Sequence, residues 1–362
     1  MMTPAEVAAP APSRPLPRSL ELGLALIALL WLVAAHRAAH ILSTLAANSS
    51  ALYPLRMLIG ALAFFALVAA GFTTLRWIAV RDSQLRDVLL LPLRATRRRE
   101  VAIGLIVGWA IVLVAVLPMM LAGDLSPSFW FAPRAFGLAI LALATLAVGT
   151  LAQEMAFRGF VLAHLGRALG PVSASLLVSL LYGMLAWAVP SGSGLAFLVA
   201  FVASLVLSMA YFRTHALWVS WGLHFGFSAL ATVVFGLPLA GVIDYTSVVQ
   251  SSTAGSRALT GGDFGVAATW PALLAFGAAL LVIYALTRDF AWTYTHPEIV
   301  SAGYAVVVQP PEAHTAMEQA AIPAPLIQIL GSTPTAPSTM TAVNEHLQSN
   351  ADDSLDSDDR LS

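Results

Sequence analysis

Eight apolar runs constrain this chain more than any other feature. They centre on residues 20–35, 55–80, 101–121, 135–157, 172–189, 194–212, 217–239 and 268–287 of 362. Each approaches the roughly 20 residues that an α-helix needs to cross a bilayer. In lipid only helices and closed barrels satisfy their own backbone, and runs this long, without strict alternation, do not read as barrel strands. The expected fold class is all-α: a polytopic helical membrane protein with about eight transmembrane helices. Composition agrees, because only 10% of residues are charged, against about 25% in an average soluble domain. Too few polar side chains exist to cover a water-facing surface, so the expected partner of most of the chain is the lipid bilayer.

Charge and residue usage exclude several kinds of chemistry. A net charge of −1 supplies no electrostatic attraction to nucleic acid. All 18 basic residues are Arg, which leaves no Lys for Schiff-base or P-loop chemistry. There is no Cys, hence no disulfide, thiolate nucleophile or cysteine metal site.

Three regions follow from composition. Residues 1–19 are rich in Pro and Ala and read as a disordered arm. The run after them is longer than a usual signal-peptide core and is expected to be an uncleaved first helix. Residues 20–294 form the expected transmembrane helical domain, and 295–362, polar, Pro-containing and acidic at the end, read as a disordered cytoplasmic tail. Arg14, Arg18, Arg81, Arg86, Arg94, Arg97, Arg98, Arg99, Arg158, Arg167 and Arg213 fall on one side if both termini are cytoplasmic in the cell membrane. Arg37, Arg56, Arg134 and Arg257 fall on the other.

Ionisable groups inside a membrane span are costly, and each is a candidate for function. Glu154 and Arg158, in "LAQEMAFRGF", lie four apart on a helix with the acid first, the favourable order for an ion pair. They read either as a structural pair or as a carboxylate held ionised beside a cavity. His224 and Ser228, in "SWGLHFGFSAL", share a helical face. They read either as interhelical donors or as a donor pair aimed at a developing oxyanion. Arg213 and His215 sit at a span boundary, where snorkelling accounts for them.

These blocks together resemble the CPBP family of intramembrane proteases, the relatives of CAAX prenyl endopeptidases and of bacteriocin-processing or Abi proteins. The resemblance rests on "QEMAFRG", "LLYGMLAW" and "RTHALWVSWGLHFGFS", with "LTGGDFG" at 259–265, and covers a core of about 135–285. It implies three motifs. The first, Glu-Glu-x-x-x-Arg, reads here Gln153, Glu154 and Arg158; the second, Phe-x-x-x-His, reads Tyr182 and Ala186; the third, His-x-x-x-Asn, reads His224 and Ser228. The implied mechanism uses the first Glu and the second-motif His to activate water, while the third motif stabilises the oxyanion and the second Glu and the Arg support the site.

Two of those positions are substituted. Gln153 has an amide that cannot accept a proton from water, and Ala186 has no polar group. General-base catalysis contributes about 10²–10⁴-fold, so lost or much reduced peptidase activity is expected, with a binding or regulatory role toward a hydrophobic or lipidated peptide or a membrane protein. Glu154, about 100° round the helix from position 153, would have to leave Arg158 to replace the base. The alternatives are an active, atypical endopeptidase that uses Glu154 and His224, and an unrelated transporter or assembly factor. No cofactor is expected. A catalytic zinc needs three protein ligands, and Glu154 and His224 supply only two.

Overall fold

The computed structural model describes residues 16–80, 90–245, 248–288, 299–301 and 304–306. Helix α1 (Arg18–Ala47) is followed by α2 (Arg56–Val80) and α3 (Arg97–Ala122). Helix α4 (Pro133–Glu154) runs through a π-helical turn at Met155–Val161 into α5 (Leu162–Leu169). Then come α6 (Pro171–Ala188), α7 (Gly194–Thr214), α8 (Trp218–Ala229), the short α9 (Arg257–Thr260) and α10 (Trp270–Leu286). Six helical stretches are long and apolar enough to cross a membrane: 18–47, 53–79, 97–122, 133–169, 171–188 and 194–214. Two shorter apolar helices, Trp218–Val234 and Trp270–Leu286, occupy the last two of the eight expected runs. The protein is thus a multi-pass helical membrane protein.

The boundaries follow local chemistry. Prolines at the first or second position open α4, α6 and α10, where the missing N–H would be unpaired in any case. The side chains of Ser193 and Thr269 accept from the backbone N–H groups of Ala196 and Ala272, capping α7 and α10. Gly123 in the left-handed region ends α3. Helix α1 passes the expected end of its run and continues to Ala47, because Ala35, Ala39 and Ala46 stay on its buried face while His36, Arg37 and His40 point outward.

One further expected boundary changes. The fourth span does not end near residue 157; it is part of one 37-residue rod, Pro133–Leu169. Arg158 is fully buried within that rod. Short ladders accompany the helices without altering the all-helical architecture of the spans. Strand β1 (Leu125–Phe129) pairs antiparallel with β2 (Val249–Thr253), in the register Leu125↔Thr253 to Phe129↔Val249. Two inter-span loops on one side of the molecule satisfy their backbone groups against each other, and Pro127 is tolerated in a ladder of only two strands. Residues 299–301 and 304–306 form a separate two-stranded antiparallel ladder. The rest of 295–362, and the arm before residue 16, lie outside the described residues.

Two interiors hold the spans. One joins α3, α7, α8 and α10 through Val112, Val116, Met119, Val206, Leu223 and Phe276. The other gathers α1, α2 and the motif helix around Phe72 and Phe160, whose rings stack at 4.9 Å. Lipid tails are as apolar as Leu, so helix association in a membrane depends on close packing rather than on hydrophobic burial. Helices α3 and α8 achieve it with glycines. A Cβ added at Gly222 would lie 2.5 Å from the carbonyl oxygen of Val101, and one at Gly226 would lie 3.0 Å from that of Leu105. Gly104 and Gly108 face the backbone of α8 just as closely, between Val219 and Phe227.

Gly222→Val should therefore force the two backbones apart. Overpacking costs about 1–3 kcal/mol, which should appear as a lower midpoint in thermal unfolding of the detergent-solubilised protein. Gly277→Ala, where an added Cβ meets nothing within 4 Å, should leave the midpoint unchanged or raise it.

Candidate functional site

The α3–α8 seam determines what the other side of α8 presents. Gly222 and Gly226 face α3, so position 224, about 200° further round than 222, faces away. Ser220, His224 and Ser228, spaced by four, form a stripe toward α4. The indole Nε1 of Trp221 donates to the carbonyl oxygen of Ala147 at 3.0 Å and latches α8 to α4. Seven residues beyond Ala147, on the same face, is Glu154.

Glu154 and Arg158 are both fully buried. The carboxylate Oε1 lies 3.4 Å from Arg158 Nη1 and 2.8 Å from Nδ1 of His224, so one oxygen serves both partners. The Ser220 hydroxyl, one turn before His224, donates to its own helix at the Leu217 carbonyl, 3.2 Å away. The π-helical turn begins at the residue after Glu154 and contains Arg158. Such turns insert a residue into a helix and often accompany functional sites. Here it allows Glu154 to meet Arg158 and His224 together, so the carboxylate does not have to leave its arginine in order to face inward.

Other polar atoms at the site are buried with no protein partner: Glu154 Oε2, Arg158 Nε and Nη2, and the Ser228 hydroxyl. Unpaired buried polar groups are expensive, and ordered water commonly fills such sites. Arg158 is instead covered by aromatic faces. Its guanidinium carbon lies 4.7 Å from the Tyr182 ring centroid and 5.8 Å from that of Phe157, and those two rings meet edge-on at 5.3 Å.

The residues singled out in the sequence are brought together unequally. Glu154, Arg158 and His224 form one cluster, with Ser228 one turn beyond His224 on the same helix. Gln153 and Tyr182 form a neighbouring contact in which the phenol hydroxyl donates to the Gln153 carbonyl oxygen at 3.4 Å. Ala186 lies one turn beyond Tyr182 on α6. It packs against a small apolar cluster of Ala196, Phe264 and Ala268. Phe264 lies in the "LTGGDFG" loop, whose Gly261 and Gly265 take positive φ and whose Gly265 backs directly onto the Pro238 carbonyl. Among the described residues, no group of three His, Cys, Asp or Glu side chains stands together as a metal site.

Sequence reading missed Trp221, whose partner Ala147 lies 74 residues away in the chain. It also missed a second buried polar cluster, in which Glu21 of α1 binds His164 Nδ1 and the Arg167 guanidinium. Arg213, read as a snorkelling residue, is instead a clamp between two helix ends. It donates to the Thr287 hydroxyl at 2.7 Å and to the Tyr284 carbonyl at 3.1 Å.

This arrangement is a bundle of apolar helices with a buried carboxylate, guanidinium and imidazole where three of them meet, and over part of its length it is similar to a known family of membrane proteases. The family model described as Rce1-like, type II CAAX prenyl endopeptidase Rce1-like, matches residues 134–230, which contain every motif position named above. No match was found among curated proteins or solved structures.

Breaking a buried pair by removing one partner costs roughly 3–5 kcal/mol, because the other charge is left uncompensated. Arg158→Met should therefore destabilise the protein on that scale in detergent unfolding. Glu154→Gln combined with Arg158→Met should cost less than the two single changes added together. Strict additivity would mean that the two groups do not interact.

Proposed function

We infer that this chain is a CAAX-protease-like integral membrane protein that binds or regulates a hydrophobic or lipidated peptide, or a membrane protein, and that it has lost most or all peptidase activity. The observation that carries this reading is the state of the two water-activating positions. Gln153 offers only an amide, held by Tyr182, while Ala186, packed beside Phe264 and Ala268, offers no polar group at all. Glu154 supports it further. Its Oε1 is already shared between Arg158 and His224, so that oxygen is engaged by protein groups rather than directed at a water. Such a role needs no cofactor. The cluster of exposed Arg97, Arg98 and Arg99 at the start of α3 favours a topology with both termini in the cytoplasm.

A second reading rests on a specific contact. Glu154 and His224, 2.8 Å apart, form a carboxylate–imidazole pair of the kind that can orient a general base, and an atypical endopeptidase would use it.

The two readings separate in one assay. Purified protein is offered prenylated and hydrophobic peptides beside its Glu154→Ala variant. The expected result is no cleavage above background by either. Cleavage by the parent that Glu154→Ala abolishes would establish the second reading and overturn the first. Gln153→Glu with Ala186→His restores both missing groups and should raise cleavage, within the roughly 10²–10⁴-fold that general-base catalysis supplies.

A further inference from the structure

A cavity of about 360 Å³ lies at the opposite end of α4 from Glu154, where the starts of α2 and α4 meet Ile243–Tyr245 and Gln250. Its charges are unevenly matched. Arg56 is fully engaged: Nη2 binds Asp244 at 2.7 Å, Nη1 donates to the Tyr53 carbonyl at 3.0 Å, and the guanidinium lies over the Tyr53 ring at 4.0 Å. Arg134, the other cation of the lining, makes no ion pair or hydrogen bond among the described residues. With Asp244 neutralised by Arg56, one positive charge and a full set of guanidinium donors remain for an occupant.

The rest of the wall is apolar and ordered along one helix. Leu138, Leu141 and Ala142 follow Arg134 down α4, with Met57 facing them from α2. The depth of the cavity is marked by its surroundings. Phe129, Trp130 and Phe131, just before α4, are 56%, 59% and 73% exposed, as aromatic side chains are at the level of lipid headgroups. Burial, reinforced by Asp244, pushes the Tyr245 phenol above its ordinary value, so it remains a neutral hydrogen-bond donor at the cavity edge.

We propose that this cavity is a binding site for the headgroup of an anionic phospholipid, whose phosphodiester pairs with Arg134 while an acyl chain lies along Leu138, Leu141 and Met57. Charge complementarity selects an anion, because the lining carries one cation that is unmatched among the described residues. The apolar wall running inward from Arg134 selects an amphiphile over a free ion. Arg suits the role, since its planar fork pairs with two phosphate oxygens at once. The site is separate from the Glu154 cluster and does not depend on whether the protein cleaves peptides.

The test is native mass spectrometry of the full-length protein released from detergent after incubation with mixed vesicles of phosphatidylglycerol and phosphatidylcholine. The expected result is one phosphatidylglycerol retained per chain in preference to phosphatidylcholine. Arg134→Gln should reduce that preference about tenfold, the scale of one lost charge-assisted hydrogen bond. Arg134→Lys should keep part of it, and Arg98→Gln, at the other end of the bundle, should not change it. Leu138→Trp, which fills the wall without touching the charge, should also reduce retention. Equal retention of the two lipids, or an unchanged preference in Arg134→Gln, would overturn the proposal. Displacement of the lipid by millimolar inorganic phosphate would overturn it as well, by identifying a site for the soluble anion.

Discussion

The glycine seam between α3 and α8 is the constraint on which the rest of this molecule depends. Gly104 and Gly108 on one helix and Gly222 and Gly226 on the other let the two backbones approach until carbonyl oxygens occupy the space of absent Cβ atoms. In lipid, where apolar surfaces gain little by leaving their solvent, such contact supplies dispersion energy that larger side chains would prevent. The seam also acts as a positioning device. By committing one face of α8 to α3, it turns Ser220, His224 and Ser228 toward α4, and the Trp221 latch to Ala147 sets the height.

What the seam positions is a costly cluster. A buried carboxylate, guanidinium and imidazole share few hydrogen bonds, and several of their polar atoms have no protein partner. A structural ion pair alone gains little from such an arrangement, because replacing a buried pair with apolar side chains is often neutral or stabilising. The π-helical turn at Met155–Val161 adds a backbone irregularity at the same place. Conformational and desolvation cost thus concentrate where the Rce1-like family model finds its match. Glu154 and His224 join the motif rod to α8, with Arg158 beside the carboxylate. Nearby, the Gln153 amide accepts from Tyr182, and Ala186 packs in the Phe264 cluster. Loss of Glu154 or Arg158 would leave a buried charge alone.

Local features were legible in the sequence, and distant pairings were not. The four-residue spacing of Glu154 and Arg158, and of His224 and Ser228, follows from helix geometry and could be read directly. That Glu154 meets His224 required 70 residues of intervening chain to fold back. The Glu21–His164 contact spans 143 residues, and nothing near Glu21 in the chain announces it. Helix ends were misjudged where polar residues were taken as stops. His36 and Arg37 sit within α1, and Arg158 sits within the long motif rod, because one points outward on a helix face and the other is covered by aromatic rings.

By itself, the sequence determined that this protein is a multi-pass bundle of apolar helices, because length and hydropathy are properties of single segments in contact with lipid. It also carried the resemblance to three motifs, which is a matter of residue identity. Only the tertiary structure decided which of those residues meet. It joined Glu154 to both Arg158 and His224, gave Gln153 to Tyr182, and packed Ala186 against Phe264. Among the described residues it also left Arg134 as the unmatched cation of a cavity built from three distant segments. The physical reason is the same throughout. Helix formation and insertion are decided segment by segment, whereas the pairing of faces depends on which backbones can approach closely enough to pack.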